Sequence, residues 1–167
     1  MSRTNQATVE LQKENMKFSA GHFTIFSATQ RENMHGHNFT IHVSMTGPVD
    51  ENGMIGDYGI FKKLIEELCI DWNETFLLAS QSPYLDITTS DTEVCAHFNG
   101  EAIKFLPRDV TLLPIANTTV EELSRAFGQR LVNHPVFADA AFTKLLVKCA
   151  SGPGQWGHWT WSLEGGS

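Results

Sequence analysis

The amino-acid sequence predicts an α+β protein whose strands form an antiparallel sheet. Apolar and polar residues alternate over residues 37–47, which is the pattern of a strand with one buried face. Apolar residues recur instead at helical spacing within 56–72. The whole chain predicts the order strand, strand, helix, hairpin, helix, strand, strand. This order lacks the βαβ alternation of a parallel sheet and therefore favours the α+β class.

The remaining strands are predicted near the two ends of the chain and in one hairpin. Residues 8–26 predict one strand, straight or bent, with His22 on the face of Phe18 and Ala20. Residues 140–149 and 157–163 predict the last two strands. The hairpin is predicted over 92–107, with Asn99 and Gly100 as its two-residue turn.

Both helices have a capping signal at their predicted start. Asp57 stands where an N-terminal residue would cap the first helix. The second helix is predicted over 117–134, where either Thr118 or Thr119 can be the cap. Acidic residues in its first turn, Glu121 and Glu122, suit the positive end of the helix dipole.

Length, composition and net charge restrict the classes of protein to which the chain can belong. The 167 residues suit one domain over 1–167, and 41% hydrophobic residues suffice for a core. The net charge of −7, with scattered Lys and Arg, predicts no nucleic-acid partner. Three cysteines without a C-x-x-C spacing fit a reducing compartment. Because no signal peptide or membrane-spanning run is apparent, we expect a cytoplasmic protein without a membrane partner.

Three histidines predict a metal site. His35 and His37 are two residues apart, so on a strand their side chains point to one face. His22 lies on the preceding predicted strand, which can pair with theirs. Three imidazoles from two adjacent strands match catalytic zinc, which keeps a fourth position open. His42 has the opposite parity, and it is not predicted as a ligand.

Four stretches then resemble, in order, the 6-pyruvoyl-tetrahydropterin synthase / 6-carboxytetrahydropterin synthase family. They are FSAGHF, MHGHNFTIHV, GMIGDYGIFKKLIEEL and NTTVEELSRAF, and the similarity extends from about Phe18 to about Trp159. The resemblance implies the tunnelling fold, a four-stranded antiparallel sheet with two helices inserted between the strand pairs, to which this chain adds a hairpin. It also implies a homohexamer made of two stacked trimers.

The resemblance further implies a cofactor and a substrate class. It assigns Zn²⁺ to the residues matching His22, His35 and His37. It implies a pterin-like small molecule as partner, 7,8-dihydroneopterin triphosphate or a near relative, in a folate, queuosine or other pterin route. Zinc with an open position would polarise the hydroxyls of the substrate side chain.

The predicted acid/base residue is of a different type from that in the main branches of the family. They carry a cysteine a few residues before the HGH stretch, whereas no cysteine lies between His22 and His35 here. Glu32 occupies the matching stretch, which resembles the minority branch with glutamate in that place. That branch cleaves the side chain as an aldolase would and gives 6-hydroxymethyl-7,8-dihydropterin. Glu32 is thus the predicted catalytic group, and a solvated loop glutamate is the alternative.

Three further departures bear on the substrate. Asn73 and Glu74 stand where the family has an Asp-His pair, and Glu74 is a possible second catalytic group. Ser151 replaces the glutamate that anchors the pterin ring, and a hydroxyl cannot form the charge-assisted pair of a carboxylate. His158 stands where an acidic residue is expected.

The expected substrate contacts and the function follow from this comparison. Glu121 matches a family position near the pterin pocket, and we expect Thr119, Ser151 and Asp57 with it at the substrate. The leading hypothesis is a Zn-dependent carbon–carbon or carbon–oxygen lyase acting on a dihydroneopterin side chain. The alternatives are a metalloenzyme of the same fold acting on another heterocycle or polyol, and a catalytically silent ligand-binding protein.

Overall fold

The structure, a computed structural model, describes residues 5–163. The helices are α1 (Tyr58–Trp72), α2 (Val120–Val132) and the short α3 (Pro135–Ala138). The strands are β1 (Gln6–Leu11), β2 (Lys17–His22), β3 (His35–Pro48), β4 (Thr75–Ala79), β5 (Asp86–Thr89), β6 (Val94–Phe98), β7 (Glu101–Phe105), β8 (Val110–Leu113), β9 (Lys144–Gly152) and β10 (Gln155–Ser162). No helix within residues 5–163 has the length and apolarity needed to cross a bilayer.

The central sheet has the strand order β10-β9-β3-β2-β4-β8. Its first four strands pair antiparallel, which confirms the predicted α+β class with a four-stranded antiparallel sheet. The predicted strand over 8–26 is two strands, β1 and β2, separated by residues 12–16. Both pair antiparallel with β3, end to end along one of its edges.

Two strands extend this sheet beyond the prediction, and both pair parallel. β4 lies parallel to β2, and β8 lies parallel to β4. β4 starts three residues after Trp72, the last residue of α1, with Glu74 turning the chain in a left-handed conformation (φ 58°). A short apolar run placed directly after a helix has no period that separates it from that helix, so the sequence did not reveal β4.

The predicted hairpin is present as β6 and β7. Asn99 (φ 47°) and Gly100 (φ 80°) form its turn, and two left-handed residues are what a type I′ hairpin turn requires. β5 pairs with β6 to complete a three-stranded second sheet.

The two long helices begin where the sequence predicts. The Asp57 carboxylate accepts a hydrogen bond from Gly59 N at 2.9 Å and caps α1. Of the two candidate caps of α2, the hydroxyl of Thr119 accepts from Glu122 N at 3.3 Å, so Thr119 is the cap.

Within residues 5–163 the buried apolar residues form two clusters. The main core lies between α1, α2 and the central sheet, and Phe39, Ile65 and Phe127 are among its fully buried members. The second core joins the second sheet to the segment that follows β2. Its buried members are Phe23, Ile25, Leu78, Leu85, Val94, Ala96 and Phe98. The second sheet therefore packs against the chain that leads to Glu32.

Candidate metal centre and active site

The pairing of β2 with β3 brings the three predicted histidines together. His22, the last residue of β2, lies opposite His35, the first residue of β3. His37 lies opposite Ala20, two positions along the same ladder, so its side chain points to the same face as that of His35. The Gly21–Gly36 pair between them carries no side chain.

The three imidazoles are close enough to share one ion. The ring centroids are 4.6 Å apart for His22 and His35, 4.9 Å for His35 and His37, and 5.3 Å for His22 and His37. One ligand nitrogen from each ring lies within 4.8 Å of the other two. We refer to these residues as the histidine triad.

His22 is held in the tautomer that a metal requires. Its Nδ1 donates to the carbonyl oxygen of Thr118 at 2.9 Å, because a carbonyl can only accept. Its Nε2 is buried and has no hydrogen-bond partner within the described part of the chain. Burial lowers the pKa of His22, which favours the neutral, metal-binding form.

His35 shows the same arrangement at the rim. Its Nδ1 donates to the carbonyl oxygen of Asn33 at 2.8 Å, which leaves Nε2 for another partner. Metal-binding histidines commonly have one ring nitrogen fixed by such a hydrogen bond. Three imidazoles, one with an unpaired buried nitrogen, fit a borderline divalent cation such as zinc. The triad could therefore hold a metal ion.

Glu32 lies beside the triad. One of its carboxylate oxygens, Oε2, is 3.8 Å from His35 Nε2, and the same oxygen accepts from Thr24 N at 2.9 Å. Partial burial by itself would raise the pKa of Glu32. The hydrogen bonds with Thr24, supported by the electrostatic interaction with His35 and His22, outweigh that effect, so the pKa is lowered and the carboxylate is ionised at neutral pH.

A cavity of about 320 Å³ opens over the triad and Glu32. Three more predicted residues line it: Thr119 and Glu121 from the start of α2, and Ser151 from the end of β9. The histidine triad, Thr24, Glu32, Thr118, Val120 and Gln155 complete the lining. The structure thus brings seven of the nine predicted site residues to one cavity.

Two predicted residues lie elsewhere. Glu74 borders a second cavity, of about 480 Å³, which it shares with Ser19 and Asp109. Its backbone N donates to Ser19 O at 2.7 Å, and the Asn73 side chain accepts from Ser19 N at 2.8 Å. Asp57 is exposed at the start of α1, where it serves as the cap.

Thr118, Thr24 and Gln155 are among the residues that line the cavity but were not predicted as site residues. Thr118 entered only as a possible helix cap, whereas its carbonyl orients His22 and its hydroxyl donates to Phe23 O at 2.7 Å. Thr24 and Gln155 carried no motif of their own. A signal was available for Thr24 alone, since it lies two residues beyond His22 on the same predicted strand.

The fold and this cavity define a class of protein, an α+β protein with a candidate metal centre of three histidines at the end of a strand pair. A sequence model of the 6-pyruvoyl tetrahydropterin synthase family matches residues 10–156, and the chain belongs to that family. The resemblance inferred from the four motifs is confirmed.

Two archaeal relatives show how low the sequence identity to this chain is. A protein of Pyrococcus horikoshii, described as a candidate 6-carboxy-5,6,7,8-tetrahydropterin synthase, is 25% identical over 150 residues, which cover 89% of this chain and 88% of that protein. A protein of Archaeoglobus fulgidus with the same description is 32% identical over 84 residues, which cover 50% of this chain and 68% of that protein.

Solved structures share the fold. The 6-pyruvoyl tetrahydropterin synthase of Plasmodium vivax superposes with a TM-score of 0.87 at 21% identity, covering 95% of this chain and 99% of that chain. A variant of that enzyme, in which a glutamate described as a catalytic residue is replaced by alanine, superposes equally well at 20% identity. The predicted tunnelling fold is confirmed.

Proposed function

We propose that this chain is a Zn²⁺-dependent lyase that cleaves the side chain of 7,8-dihydroneopterin or its triphosphate and releases 6-hydroxymethyl-7,8-dihydropterin. Membership of the 6-pyruvoyl tetrahydropterin synthase family supports a tetrahydropterin synthase-type activity. The observation that carries the finer proposal is the Glu32 carboxylate, 3.8 Å from His35 Nε2, where the chain supplies no cysteine. The cysteines at positions 69, 95 and 149 are all buried.

In this proposal the histidine triad holds the metal. His22, His35 and His37 would be its three protein ligands, through nitrogens within 4.8 Å of one another. A bound Zn²⁺ supplies a Lewis acid that polarises adjacent hydroxyls of the substrate side chain. Three imidazole ligands leave a coordination position open for the substrate.

Glu32 supplies the proton transfers. Its lowered pKa keeps it ionised, so it can accept the proton of the hydroxyl on the second side-chain carbon. The bond between the first and second carbons then breaks as the deprotonated oxygen forms a C=O, so the second carbon leaves as an aldehyde, and the electron pair of the broken bond passes into the adjacent C=N of the pterin ring. Glu32 returns the proton to the first carbon, which remains on the ring as the hydroxymethyl group.

We place the pterin ring between the start of α2 and the end of β9. Glu121 and Thr119 line one wall of the cavity, and Ser151 and Gln155 line the other. The exposed Glu121 carboxylate can accept hydrogen bonds from the amino and ring N–H groups of a pterin. Glu74 remains a candidate second acid/base group and Asp57 a candidate substrate contact. We also propose the homohexamer, in which other copies complete the surroundings of each site.

Incubation with 7,8-dihydroneopterin and with its triphosphate, followed by mass identification of products, tests this function. We expect 6-hydroxymethyl-7,8-dihydropterin from at least one substrate. Formation of 6-pyruvoyl- or 6-carboxytetrahydropterin would contradict the cleavage but retain the family chemistry. No turnover of either substrate would overturn the lyase.

Replacing the proposed base gives the matching residue test. Glu32→Gln should reduce kcat by about 10²–10⁴-fold, since it removes the proton acceptor. Zinc content should stay at one ion per chain, because Glu32 is not a ligand in this proposal. Glu51→Gln, at an exposed site in the turn before α1, is the matched control and should be fully active. An active Glu32→Gln protein would contradict the role of Glu32.

Ser151 favours one alternative function. A neutral hydroxyl lines the cavity where the resemblance places a carboxylate, so a pterin would lose its charge-assisted partner there. Loss of such a partner costs several orders of magnitude in selectivity, which favours a different heterocycle or polyol. A Ser151→Glu variant that gains turnover of dihydroneopterin over wild type would support this second function.

A further inference from the structure

The segment between β2 and β3, residues 23–34, folds back on itself and is called here the Glu32 loop. Glu32 N donates to Thr24 O at 2.8 Å, and Phe26 N donates to Gln30 O at 2.9 Å. Ile25 and Arg31 form an isolated antiparallel bridge between its two arms. The loop is thus a small hairpin, and its backbone sets the direction in which the Glu32 side chain leaves the chain.

Arg31 joins this loop to the second sheet. Its Nη1 donates to the carbonyl oxygen of Glu32 at 2.8 Å, and its Nη2 donates to the Glu101 carboxylate at 3.1 Å. The guanidinium carbon lies 5.0 Å from the ring centre of Phe23 and 5.8 Å from that of Phe98. The side chain is 18% exposed, although it carries a full charge.

We propose that Arg31 is a positioning residue that holds the Glu32 carboxylate at the histidine triad by fastening the Glu32 loop to the β6–β7 hairpin. The proposal rests on the proposed function, in which Glu32 carries out the proton transfers. Proton transfer requires the carboxylate within hydrogen-bond reach of the reacting atom, and a misplacement of 1 Å can cost about 10²-fold in rate.

The chemistry of arginine suits this role. Its planar guanidinium presents several donors in a rigid fork, so two donors can bind acceptors on different segments while its faces contact aromatic rings. A lysine ammonium is a point charge on a flexible stem and cannot make all of these contacts together. The Phe23 and Phe98 rings add cation–π attraction and shield the guanidinium from water.

The contacts of Arg31 differ in how much each contributes to holding the Glu32 loop. Glu101 is 63% exposed, and an ion pair with such a partner contributes little. The bond to the Glu32 carbonyl is part-buried and acts directly on the residue that carries the carboxylate. The second core anchors the Glu32 loop to the second sheet, because Phe98 of β6 and Phe23 of the loop both belong to it. The second sheet thereby supports the active site without lining its cavity.

Arg31→Met tests the proposal with the least disturbance. Methionine keeps an apolar stem between the two rings but donates no hydrogen bond. We expect kcat to fall at least about tenfold, with KM and zinc content close to wild type, because only the carboxylate is misplaced. Arg31→Lys should recover part of the loss. Arg130→Met is the matched control, since Arg130 pairs with Asp71 on α1, away from the loop, and it should keep wild-type kcat.

A double variant separates positioning from general damage. If Arg31 acts through Glu32, the Arg31→Met change should have no further effect on kcat in a Glu32→Gln background. A further loss of tenfold or more in that background would show that Arg31 supports the site by another route and would overturn the proposal. Wild-type kcat in Arg31→Met, with Glu32→Gln inactive, would overturn this proposal alone. Full activity of Glu32→Gln would overturn the role of Glu32 and this proposal with it.

Amide hydrogen exchange gives a readout that does not depend on turnover. Thr24 N donates to the Glu32 carboxylate, so its exchange rate reports how firmly that carboxylate is held. We expect exchange at Thr24 to accelerate at least about tenfold in Arg31→Met and to stay unchanged in Arg130→Met. Unchanged exchange in Arg31→Met would overturn the proposal even if no substrate is turned over.

Discussion

The carbonyl oxygen of Thr118 decides which nitrogen of His22 faces the cavity. Because it accepts from Nδ1, the buried Nε2 is left with a lone pair and no partner in the described chain. A buried polar atom without a partner is costly, and a metal ion would relieve that cost. The site is therefore prepared by a backbone carbonyl that is not itself one of the proposed metal ligands.

Strand parity and the pairing of neighbouring strands were enough to predict that the three histidines lie together, whereas Glu32 was predicted from the family resemblance. None of these could predict Thr118, because the hydrogen bond to His22 joins positions 96 residues apart in the sequence. Arg31 was missed for a related reason. Its partner Glu101 is 70 residues away, on a hairpin whose placement no local pattern encodes.

His42, on the opposite face of β3, leads to a prediction on stability and pH. Burial lowers the pKa of His42 below the ordinary value of 6.5. The carboxylate of Glu10, at 3.7 Å, acts to raise this pKa, and the charge of Lys148 acts to lower it further. At a pH between the pKa of His42 in the folded chain and its higher pKa in the unfolded chain, the unfolded chain binds more protons than the folded chain. The free energy of unfolding should therefore fall as the pH drops below about 6.5.

His42→Gln checks this directly. In the presence of chelator, the free energy of unfolding of the variant should depend less on pH between 5 and 6.5 than that of wild type. His22 contributes with the same sign, so the dependence should be reduced rather than abolished. Equal slopes in the two proteins would contradict the assignment to His42.

At the scale of elements, the start of α2 rests directly on β10. A Cβ added to Gly157 would lie 2.5 Å from Glu121 N and 2.7 Å from Val120 O, both backbone atoms that cannot rotate away. The absence of a side chain at Gly157 thus sets how close Glu121 approaches the cavity.

Gly157→Ala should push the first turn of α2 away from β10. We expect the free energy of unfolding to fall by about 1–3 kcal/mol, as for other overpacked interiors, and KM to rise because Glu121 is displaced. Gly152→Ala is the matched control, since a Cβ there meets nothing within 4 Å, and its effect should stay within about 0.5 kcal/mol. Equal stabilities in chemical denaturation would contradict this account of the α2–β10 contact.

Elements with a clear period or a capping signal were predictable, whereas short buried strands were not. α1, α2, β3 and the β6–β7 hairpin each carry a local signature. β4 and β8 are five and four residues long, and they gain their strand character by pairing with β2 and with each other. β5 likewise depends on β6. Such strands are specified by partners distant in sequence.

In the whole molecule, the two cores support different residues of the candidate site. The main core places His22 and His37 by fixing β2 against β3, since Phe18 and Phe39 of the same strands belong to it. The second core holds the loop that carries Glu32. The strands that carry His22 and His37 thus rest on the main core, whereas Glu32 rests on the second core, and His35 is joined to the Glu32 loop through the carbonyl of Asn33.

Zinc titration of chelator-treated protein by calorimetry, with thermal unfolding beside it, tests whether the histidine triad binds one metal ion. We expect one ion per chain and a higher Tm on binding, since the ion binds only the folded triad. His37→Gln should lose this binding, whereas Glu32→Gln and the exposed control His97→Ala should keep it. Absence of binding in the wild type, or unchanged binding in His37→Gln, would contradict the claim that the three imidazoles share one ion.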